Sequence, residues 1–271
     1  MPAGPAIEAK DLERYIAALR ACAEAVNKAV LAAPLEGRGN VLGMGADGTD
    51  TKAIDKLAED VAFRSLQEHG VKPTIVSEEA GALRGEEPWT LVMDPLDGTT
   101  NAINNLPIYC ISLALGQGTT DGLVYGLVRN LPTGDVYEAI KGQGATLNGK
   151  PLKVRKLVAK EKPTVSVVLG KKADDFALTL AGTWGNIRSF GCAALETSLV
   201  GAGAMDAYYH GYGSLRVTDI AAGVLIVREA GGECYDGTLK RLVMDLSLEK
   251  RTTMLAVGDR TFAERAGAIR R

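Results

Sequence analysis

The chain has 271 residues, of which 46% are hydrophobic and 24% are charged, so its composition is that of an ordinary globular protein. The formal net charge is −2, and no long basic block is present, which argues against a broad surface for nucleic acid. The apolar stretches fall far short of the roughly 20 residues that span a bilayer, and the first residues turn acidic and basic too soon for a signal peptide. We therefore expect a cytoplasmic protein without nucleic-acid or membrane partners.

The first third of the chain predicts two amphipathic helices followed by two short strands. Apolar residues recur at helical spacing over residues 11–31, and a second helix over residues 51–70 ends at a glycine. Residues 35–50 lie between these helices and are rich in glycine without periodicity, which is typical of an ordered functional loop or a mobile lid. The strands are predicted in "PTIVSEEAG" and "WTLVMD".

The pattern of predicted strands and helices changes twice in the remainder of the chain. Residues 108–155 consist of strand-like pieces separated by turn sequences, which predicts an antiparallel meander. After about residue 160, strand and helix patterns alternate up to a helical tail. We place the best domain boundary near residue 150, between these two patterns.

The four cysteines stand far apart, at Cys22, Cys110, Cys192 and Cys234. None of them forms a CxxC pair, so their spacing indicates neither a zinc site nor a disulfide framework. We expect reduced thiols.

The segment "VMDPLDGTTN", residues 92–101, carries two acids three positions apart. A strand would deliver Asp94 to a sheet edge, Pro95 would end that strand, and the turn would bring Asp97 back toward Asp94. Two carboxylates this close repel each other unless a cation lies between them. Oxygen ligands at short range suit Mg²⁺, and the carbonyl of Leu96 adds a further donor.

The residues behind these acids favour an anion site. Gly98 and Thr99 would open a helical turn whose N–H groups point outward at its positive end, and Gly98 has no Cβ to obstruct an oxyanion. Cation ligands and anion donors side by side are what metal-assisted phosphoryl chemistry requires. The alternative is an Asx-turn that leads into a helix cap, with Asp97 as the N-cap residue.

Two further groups of acids become informative only beside Asp94. Glu78 and Glu79 follow a strand, and if that strand neighbours the next one, their carboxyl ends bring Glu78 and Asp94 together. Asp219 begins the strongly apolar helix "DIAAGVLIVREAGG", where it either complements the helix dipole or binds a metal.

Two weaker sequence patterns do not indicate a functional site. The glycines of "GMGADG" match a dinucleotide-binding fingerprint, but no credible buried strand precedes them. His69 and His210 are too far apart to indicate a metal pair, so each is expected to be an ordinary surface or core residue.

Four segments occur in the order seen in the inositol monophosphatase superfamily, which includes the fructose-1,6-bisphosphatases. They are "EEAG", "WTLVMDPLDGTTNAINNLPIYCISLAL", "RSFGCAALETSLVGAGAMDAYYH" and "TDIAAGVLIVREAGG". The resemblance runs from about Asp47 to Gly232, and it implies a mixed α/β (α+β) fold, a layered αβαβα sandwich. Residues 1–150 would form an N-terminal α+β half with the metal-binding loops and the meander. Residues 151–271 would form a C-terminal α/β half that completes the active site.

The resemblance also implies a phosphatase that uses two or three Mg²⁺ ions. Its metal ligands would be Glu78, Asp94 and the carbonyl of Leu96 for the first ion, and Asp94, Asp97 and Asp219 for the second. The loop from Leu35 to Asp50 matches a mobile catalytic loop, in which Asp47 would help to bind a third, weaker ion. We expect the cations to order this loop.

Catalytic and substrate roles follow from the same resemblance. Thr99 would orient the attacking water, with Asp55 behind it and Glu78 to take up the proton. The phosphate would be held beside Asp97 by the N–H groups of Gly98 and Thr99. Further substrate contacts are implied at Arg188, Ala193, Tyr212 and Arg216. For Arg188, both a substrate contact and a structural role stay open.

Some residues depart from the common family pattern. Thr218 precedes Asp219 where many members have tryptophan, and His210 stands where vertebrate-type inositol monophosphatases have a glutamate that contacts inositol. The combination "GSLRVTDIAA", with Arg216, is similar to the archaeal dual-activity branch, which acts on fructose 1,6-bisphosphate and inositol 1-phosphate. Arg216 and Tyr212 would contact a second phosphate or sugar hydroxyls.

The function expected from all this is Mg²⁺-dependent hydrolysis of sugar or polyol phosphate monoesters within carbohydrate metabolism such as gluconeogenesis. One alternative is a 3′-phosphoadenosine 5′-phosphate or NADP phosphatase of the same superfamily. The other is a family-like scaffold that acts mainly as a binding partner. The expected partners are a small-molecule sugar phosphate and a second copy of the chain in a homodimer, with a tetramer as the alternative.

Overall fold

The computed structural model describes residues 7–46, 48–157, 162–169, 175–183 and 186–269. Its helices span Ala9–Ala32 (α1), Ala53–Glu68 (α2), Thr99–Ile103 (α3), Asp175–Thr183 (α4), Ala193–Gly201 (α5), Val217–Glu229 (α6) and Arg260–Ile269 (α7). Within the described ranges, none of these helices combines the length and the apolar character needed to cross a membrane.

Within the described residues, the strands form three sheets. A hairpin pairs Val41–Met44 (β1) with Asp50–Lys52 (β2). The strands of the eight-stranded sheet, in chain order, are Thr74–Ser77 (β3), Gly81–Leu83 (β4), Thr90–Asp97 (β5), Cys110–Gly116 (β6), Leu123–Asn130 (β7), Val136–Ile140 (β8), Gly144–Leu147 (β9) and Lys150–Pro151 (β10). Those of the five-stranded sheet are Thr164–Val167 (β11), Asn186–Arg188 (β12), Ala207–Leu215 (β13), Glu233–Tyr235 (β14) and Thr252–Val257 (β15).

The spatial orders differ from the chain order at the crossovers. The large sheet runs β10-β9-β8-β7-β6-β5-β3-β4, and β3 and β5 are parallel while the meander from β5 to β10 is antiparallel. The smaller sheet runs β12-β11-β13-β15-β14. The predicted meander over residues 108–155 is therefore confirmed as the larger part of the first sheet.

The hydrophobic cores confirm the predicted αβαβα layering. One core joins α1 and α2 to one face of the large sheet, through side chains such as Leu19, Leu91 and Met93. The opposite face of that sheet, which includes Val92, packs on α5 and α6, and these helices also pack on the smaller sheet. A third core joins the outer face of the smaller sheet to α4 and α7. Because alternate residues of a strand face opposite ways, each central strand serves two cores.

Two local expectations about backbone structure were wrong. Pro95 does not end its strand, because β5 continues to Asp97 with a register shift between Asp94 and Asp97. Proline fits within a strand at such a bulge, where no ladder hydrogen bond is needed from its nitrogen. The glycine-rich stretch over residues 35–50 is also not all loop, since it contains β1 and the first residue of β2.

Candidate metal and phosphate site

The parallel pairing of β3 and β5 gathers acidic residues at one edge of the large sheet. Ser77 pairs with Met93, so the next residues, Glu78 and Asp94, emerge side by side. Asp219, in the first turn of α6, completes the group, and one carboxylate oxygen from each of these three acids lies within 4.8 Å of the others. This juxtaposition of Glu78 and Asp94 was predicted from the ends of the two strands.

The three carboxylates are held close together in a site with little exposure to water. Asp94 is 4% exposed and Asp219 is 7% exposed. Burial raises the pKa of Asp94 well above its ordinary value, and the charges of Glu78, Asp97 and Asp219 add to the rise. Burial also raises the pKa of Asp219. The group therefore favours either bound protons or a neutralising cation.

Arg216 supplies one such cation from within the chain. Its Nε donates to Asp219 Oδ1 at 3.0 Å, its backbone N–H donates to Asp219 Oδ2 at 2.7 Å, and its Nη1 donates to Glu78 Oε1. Arg216 thus bridges two of the predicted metal ligands. Asp219 at the same time lies in the first turn of α6, where it complements the helix dipole as its alternative interpretation predicted.

Asp97 lies beside this group but its carboxylate is directed toward α5. Its Oδ2 accepts a 2.7 Å hydrogen bond from the backbone N–H of Ala194 and lies 3.4 Å from Cys192 Sγ. Burial raises the pKa of Asp97 to about 7, with a further contribution from the charge of Asp219. Asp97 is therefore close enough to the other acids for the charge of Asp219 to raise its pKa.

The turn after Asp97 requires glycine for two reasons. Gly98 has φ 91°, in the left-handed region that side chains disfavour, and a Cβ there would lie 3.0 Å from the carbonyl oxygen of Ile108. α3 begins at the next residue, Thr99, as predicted. The first N–H groups of a helix have no partner within it, so this turn presents donors to an anion.

Thr99 is tied to Asp55 across the site. Thr99 Oγ1 donates to Asp55 Oδ1 at 2.8 Å and also approaches the carbonyl oxygen of Leu96 at 3.2 Å. Asp55 lies in the first turn of α2 and accepts a 3.1 Å hydrogen bond from the backbone N–H of Lys52. Burial raises the pKa of Asp55 to about 6.

A cavity of about 10 Å³ lies among these groups, which is the room for one water-sized sphere. Its lining residues are Asp55, Glu78, Glu79, Asp94, Pro95, Leu96 and Thr99. Four acids and the hydroxyl residue Thr99 are among these lining residues, and oxygen is the donor that Mg²⁺ and similar hard cations prefer. The donor set and the size of the cavity both fit one small divalent cation.

A larger cleft of about 430 Å³ opens beside the acids, a volume typical of small-molecule sites. The expected residues that line it are Asp97, Ala193, Arg216 and Asp219. Other residues that line the cleft were not predicted as site residues; they are Thr49, Val168, Gly191, Cys192, Glu196, Tyr208, His210, Ser214, Leu215 and Arg251. Among these, Thr49 lies in the loop from Leu35 to Asp50 that the resemblance marked, and His210 was marked as a departure from the family pattern.

The polar side chain of His210 lines this cleft and carries no positive charge near neutral pH. Its Nε2 lies 3.0 Å from Ser214 Oγ and its Nδ1 lies 3.3 Å from Tyr208 Oη. Burial lowers the pKa of His210 to about 4. It can therefore exchange hydrogen bonds with substrate hydroxyls.

Two predicted site residues do not join the group described above. Arg188 is exposed on the edge strand β12, where its Nη1 donates to the carbonyl oxygen of Ile187. Tyr212 packs its ring against His210, with ring centroids 5.2 Å apart, and neither Arg188 nor Tyr212 is among the described residues that line the cleft. Asp47 lies outside the described residues.

The chain is similar to known proteins over most of its length. The sequence profile of the inositol monophosphatase family matches residues 11–267. The chain is 38% identical to the fructose-1,6-bisphosphatase/inositol-1-monophosphatase of Methanothermobacter thermautotrophicus, over 88% of this chain and 89% of that protein. It is 32% identical to a bifunctional NADP phosphatase/NAD kinase of Methanococcus maripaludis, over 79% of this chain and 42% of that protein.

A solved structure shares the fold over nearly the whole chain. It is the crystal structure of an inositol monophosphatase–fructose 1,6-bisphosphatase gene product, which is 30% identical and superposes with a TM-score of 0.83. The superposition covers 92% of this chain and 97% of that one.

Proposed function

Because the chain belongs to the inositol monophosphatase family, we propose that it hydrolyses phosphate monoesters of sugars and polyols with divalent cations as cofactors. Fructose 1,6-bisphosphate and inositol 1-phosphate are the first candidates, since relatives that match over most of the chain carry both names. The observation that carries the proposal is the convergence of the Glu78, Asp94 and Asp219 carboxylates, of which the first two line a cavity of ionic size beside the turn at Gly98.

The cofactor we propose is Mg²⁺, with two or three ions in each active site. The oxygen donors proposed to hold the first two are Glu78, Asp94, the carbonyl of Leu96, Asp97 and Asp219. When bound, such cations lower the pKa of water and neutralise the charge that develops on the phosphoryl oxygens and the leaving alkoxide.

The hydroxyl of Thr99 is proposed to position the attacking water. Because Thr99 Oγ1 donates a hydrogen bond to Asp55, the lone pairs of the Thr99 oxygen remain free to accept a hydrogen bond from that water. Glu78 lines the same cavity as Thr99, and its carboxylate is the group we propose to take up the proton. Burial raises the pKa of Asp55, and the hydrogen bond from Thr99 opposes this rise because it favours the ionised carboxylate.

The backbone N–H groups of Gly98 and Thr99 are proposed to hold the phosphate. The ester group then extends into the 430 Å³ cleft, where Ala193 and His210 contact the sugar. Arg216 lines the same cleft, and its guanidinium is the group we assign to a second phosphate or to sugar hydroxyls. Arg188 and Tyr212 are left out of this assignment because they do not line the cleft.

A second candidate function is hydrolysis of NADP or 3′-phosphoadenosine 5′-phosphate. The similarity to the bifunctional NADP phosphatase/NAD kinase favours it. A scaffold without activity is the weaker alternative, since every acid proposed to bind metal is present and Glu78, Asp94 and Asp219 converge.

The experiment that tests the proposal measures phosphate release with Mg²⁺ from all four substrates, which are fructose 1,6-bisphosphate, inositol 1-phosphate, 3′-phosphoadenosine 5′-phosphate and NADP. We expect the highest kcat/KM for a sugar or polyol phosphate, and near-complete loss in Asp94→Asn. Higher kcat/KM for either nucleotide would select the second candidate. Release from none of them would favour the scaffold.

Two further properties belong to the proposal. We propose a cytoplasmic enzyme that acts as a homodimer. Sedimentation of the purified chain would test the dimer, and a mass equal to one chain or to four would contradict it.

A further inference from the structure

Two cysteines and one proposed catalytic acid meet where β5, β6 and α5 come together. Cys110 is the first residue of β6 and pairs with Asp97 across the ladder, and Cys192 is the residue that precedes α5. Cys110 Sγ and Cys192 Sγ are 3.5 Å apart, although the two residues are 82 positions apart in the chain. Asp97 Oδ2 lies 3.9 Å from the first sulfur and 3.4 Å from the second.

The spacing of these three atoms matches a tetrahedral thiophilic metal site. Zinc bonds to sulfur at about 2.3 Å and to carboxylate oxygen at about 2.1 Å. Tetrahedral angles then place two sulfur ligands roughly 3.8 Å apart and a sulfur and an oxygen ligand about 3.6 Å apart. The observed distances of 3.5, 3.9 and 3.4 Å lie within a few tenths of an ångström of those values. A disulfide would need about 2.05 Å, and both thiols are free.

We propose that Asp97, Cys110 and Cys192 form a second cation site, selective for thiophilic divalent cations such as Zn²⁺ and Cd²⁺. Three protein ligands leave a fourth position for an oxygen from water or from a substrate. The hard cation Mg²⁺ does not compete for thiolates, so the two sulfurs set the selectivity. On binding, each thiol releases its proton to solvent and each sulfur forms one bond to the cation.

The site has a route to solvent on the side of the cleft. Asp97 and Cys192 both line the 430 Å³ cleft, so a cation can reach them from the substrate side. Burial and the charge of Asp97 raise the pKa of both thiols, so a cation that binds there must displace their protons. The carboxylate of Asp97 is already directed to this side by the N–H of Ala194.

Occupation of this site would inhibit the proposed phosphatase, and this consequence rests on the proposed function. Asp97 is a proposed ligand of the second Mg²⁺, and one carboxylate that binds a thiophilic cation on the α5 side is less available to Mg²⁺. Binding itself does not depend on the phosphatase function. The two claims therefore have separate readouts.

The binding test is a Cd²⁺ titration of the intact protein under a phosphine reductant, with excess Mg²⁺ to occupy the carboxylate group. The readout is the ultraviolet charge-transfer band that only cadmium–thiolate bonds produce. We expect the band to saturate at one equivalent of Cd²⁺. It should be lost in Cys110→Ser and in Cys192→Ser. It should persist in Cys22→Ser and Cys234→Ser, because these are the other buried free thiols.

Thermal unfolding provides a second readout that does not depend on absorbance. Cd²⁺ or Zn²⁺ should raise the Tm of the wild type and of the two control variants, and should leave the Tm of Cys110→Ser and Cys192→Ser unchanged. No band in the wild type would overturn the proposal. Bands of full intensity in both Cys110→Ser and Cys192→Ser would also overturn it.

The inhibition test separates this proposal from the phosphatase function. In excess Mg²⁺, Zn²⁺ should inhibit the wild type at least about tenfold more potently than it inhibits Cys110→Ser, each measured relative to its own activity. A charge-transfer band in a protein without phosphatase activity would support the cation site and contradict the proposed function. Phosphatase activity in a protein that shows no charge-transfer band would support the proposed function and contradict the cation site.

Discussion

Thr99 Oγ1 donates a 2.8 Å hydrogen bond to Asp55 Oδ1 and so joins the first turn of α3 to the first turn of α2. The two residues are 44 positions apart, and both line the small cavity beside Glu78 and Asp94. The bond fixes which way the Thr99 hydroxyl points. In our account, that direction makes the Thr99 oxygen an acceptor for the attacking water.

Removal of the Thr99 hydroxyl should therefore lower kcat more than it changes KM. We expect Thr99→Ala to lose about 100-fold to 1,000-fold in kcat, the range typical of a positioned group in general acid–base catalysis. Thr99→Ser is the matched control, since it keeps the hydroxyl and should keep most of the activity. Steady-state kinetics on the best substrate gives both values. A Thr99→Ala enzyme with nearly wild-type kcat would remove Thr99 from the mechanism.

Arg216 should contribute most to stability when no divalent cation is present. Its guanidinium pairs with Glu78 and Asp219, and its side chain is only 18% exposed. We expect Arg216→Gln to lower the free energy of unfolding by about 2 kcal/mol in a chelator. Mg²⁺ should recover much of this loss, because a bound cation neutralises the same carboxylates.

Urea unfolding of Arg216→Gln with and without Mg²⁺ measures this difference. Arg188→Gln is the control, since Arg188 is exposed and should change stability by less than about 0.5 kcal/mol. Equal losses for Arg216→Gln in both conditions would show that Arg216 does not share its partners with a cation.

The Mg²⁺-free protein should become less stable as the pH rises. Burial and neighbouring charge raise the pKa of Asp97 from the ordinary 3.8 to about 7 in the folded state. Between these two values the folded protein binds a proton that the unfolded chain has lost, so stability is highest at the acidic end and falls as pH rises through the window. Mg²⁺ should remove most of this fall, because the cation replaces the proton.

Tm measured in chelator and in Mg²⁺ between about pH 5 and about pH 8 tests this, and Asp97→Asn should flatten the chelator curve. The same protons oppose metal binding, so Mg²⁺ affinity should rise with pH up to about 7, by up to roughly tenfold per pH unit for each proton displaced. A Tm in chelator that rises over this range would contradict the pKa of Asp97.

Much of the fold and the acidic group could be predicted because both follow local rules. Strand patterns in "TIV" and "WTLVMD" placed Glu78 and Asp94 at one sheet edge, and the structure confirms this through the Ser77–Met93 pair. The sandwich layers follow from alternating apolar residues and amphipathic helices.

Other features depend on contacts between distant segments, which spacing along the chain does not encode. The spacing of Cys110 and Cys192 argued against a metal site, yet the packing of α5 against β5 and β6 brings their sulfurs together. Arg251 enters the cleft from the start of β15, and no motif marked it. Pro95 stays within its strand only because a bulge in the ladder accommodates it.

The most direct test of the account is an anomalous-difference map from a crystal of this protein grown with Mn²⁺ in place of Mg²⁺. We predict peaks within bonding distance of the Glu78, Asp94 and Asp219 carboxylates, next to the turn at Gly98. A well-ordered map with no peak there, and with Glu78 and Asp219 still bridged by Arg216 alone, would contradict the proposed metal site.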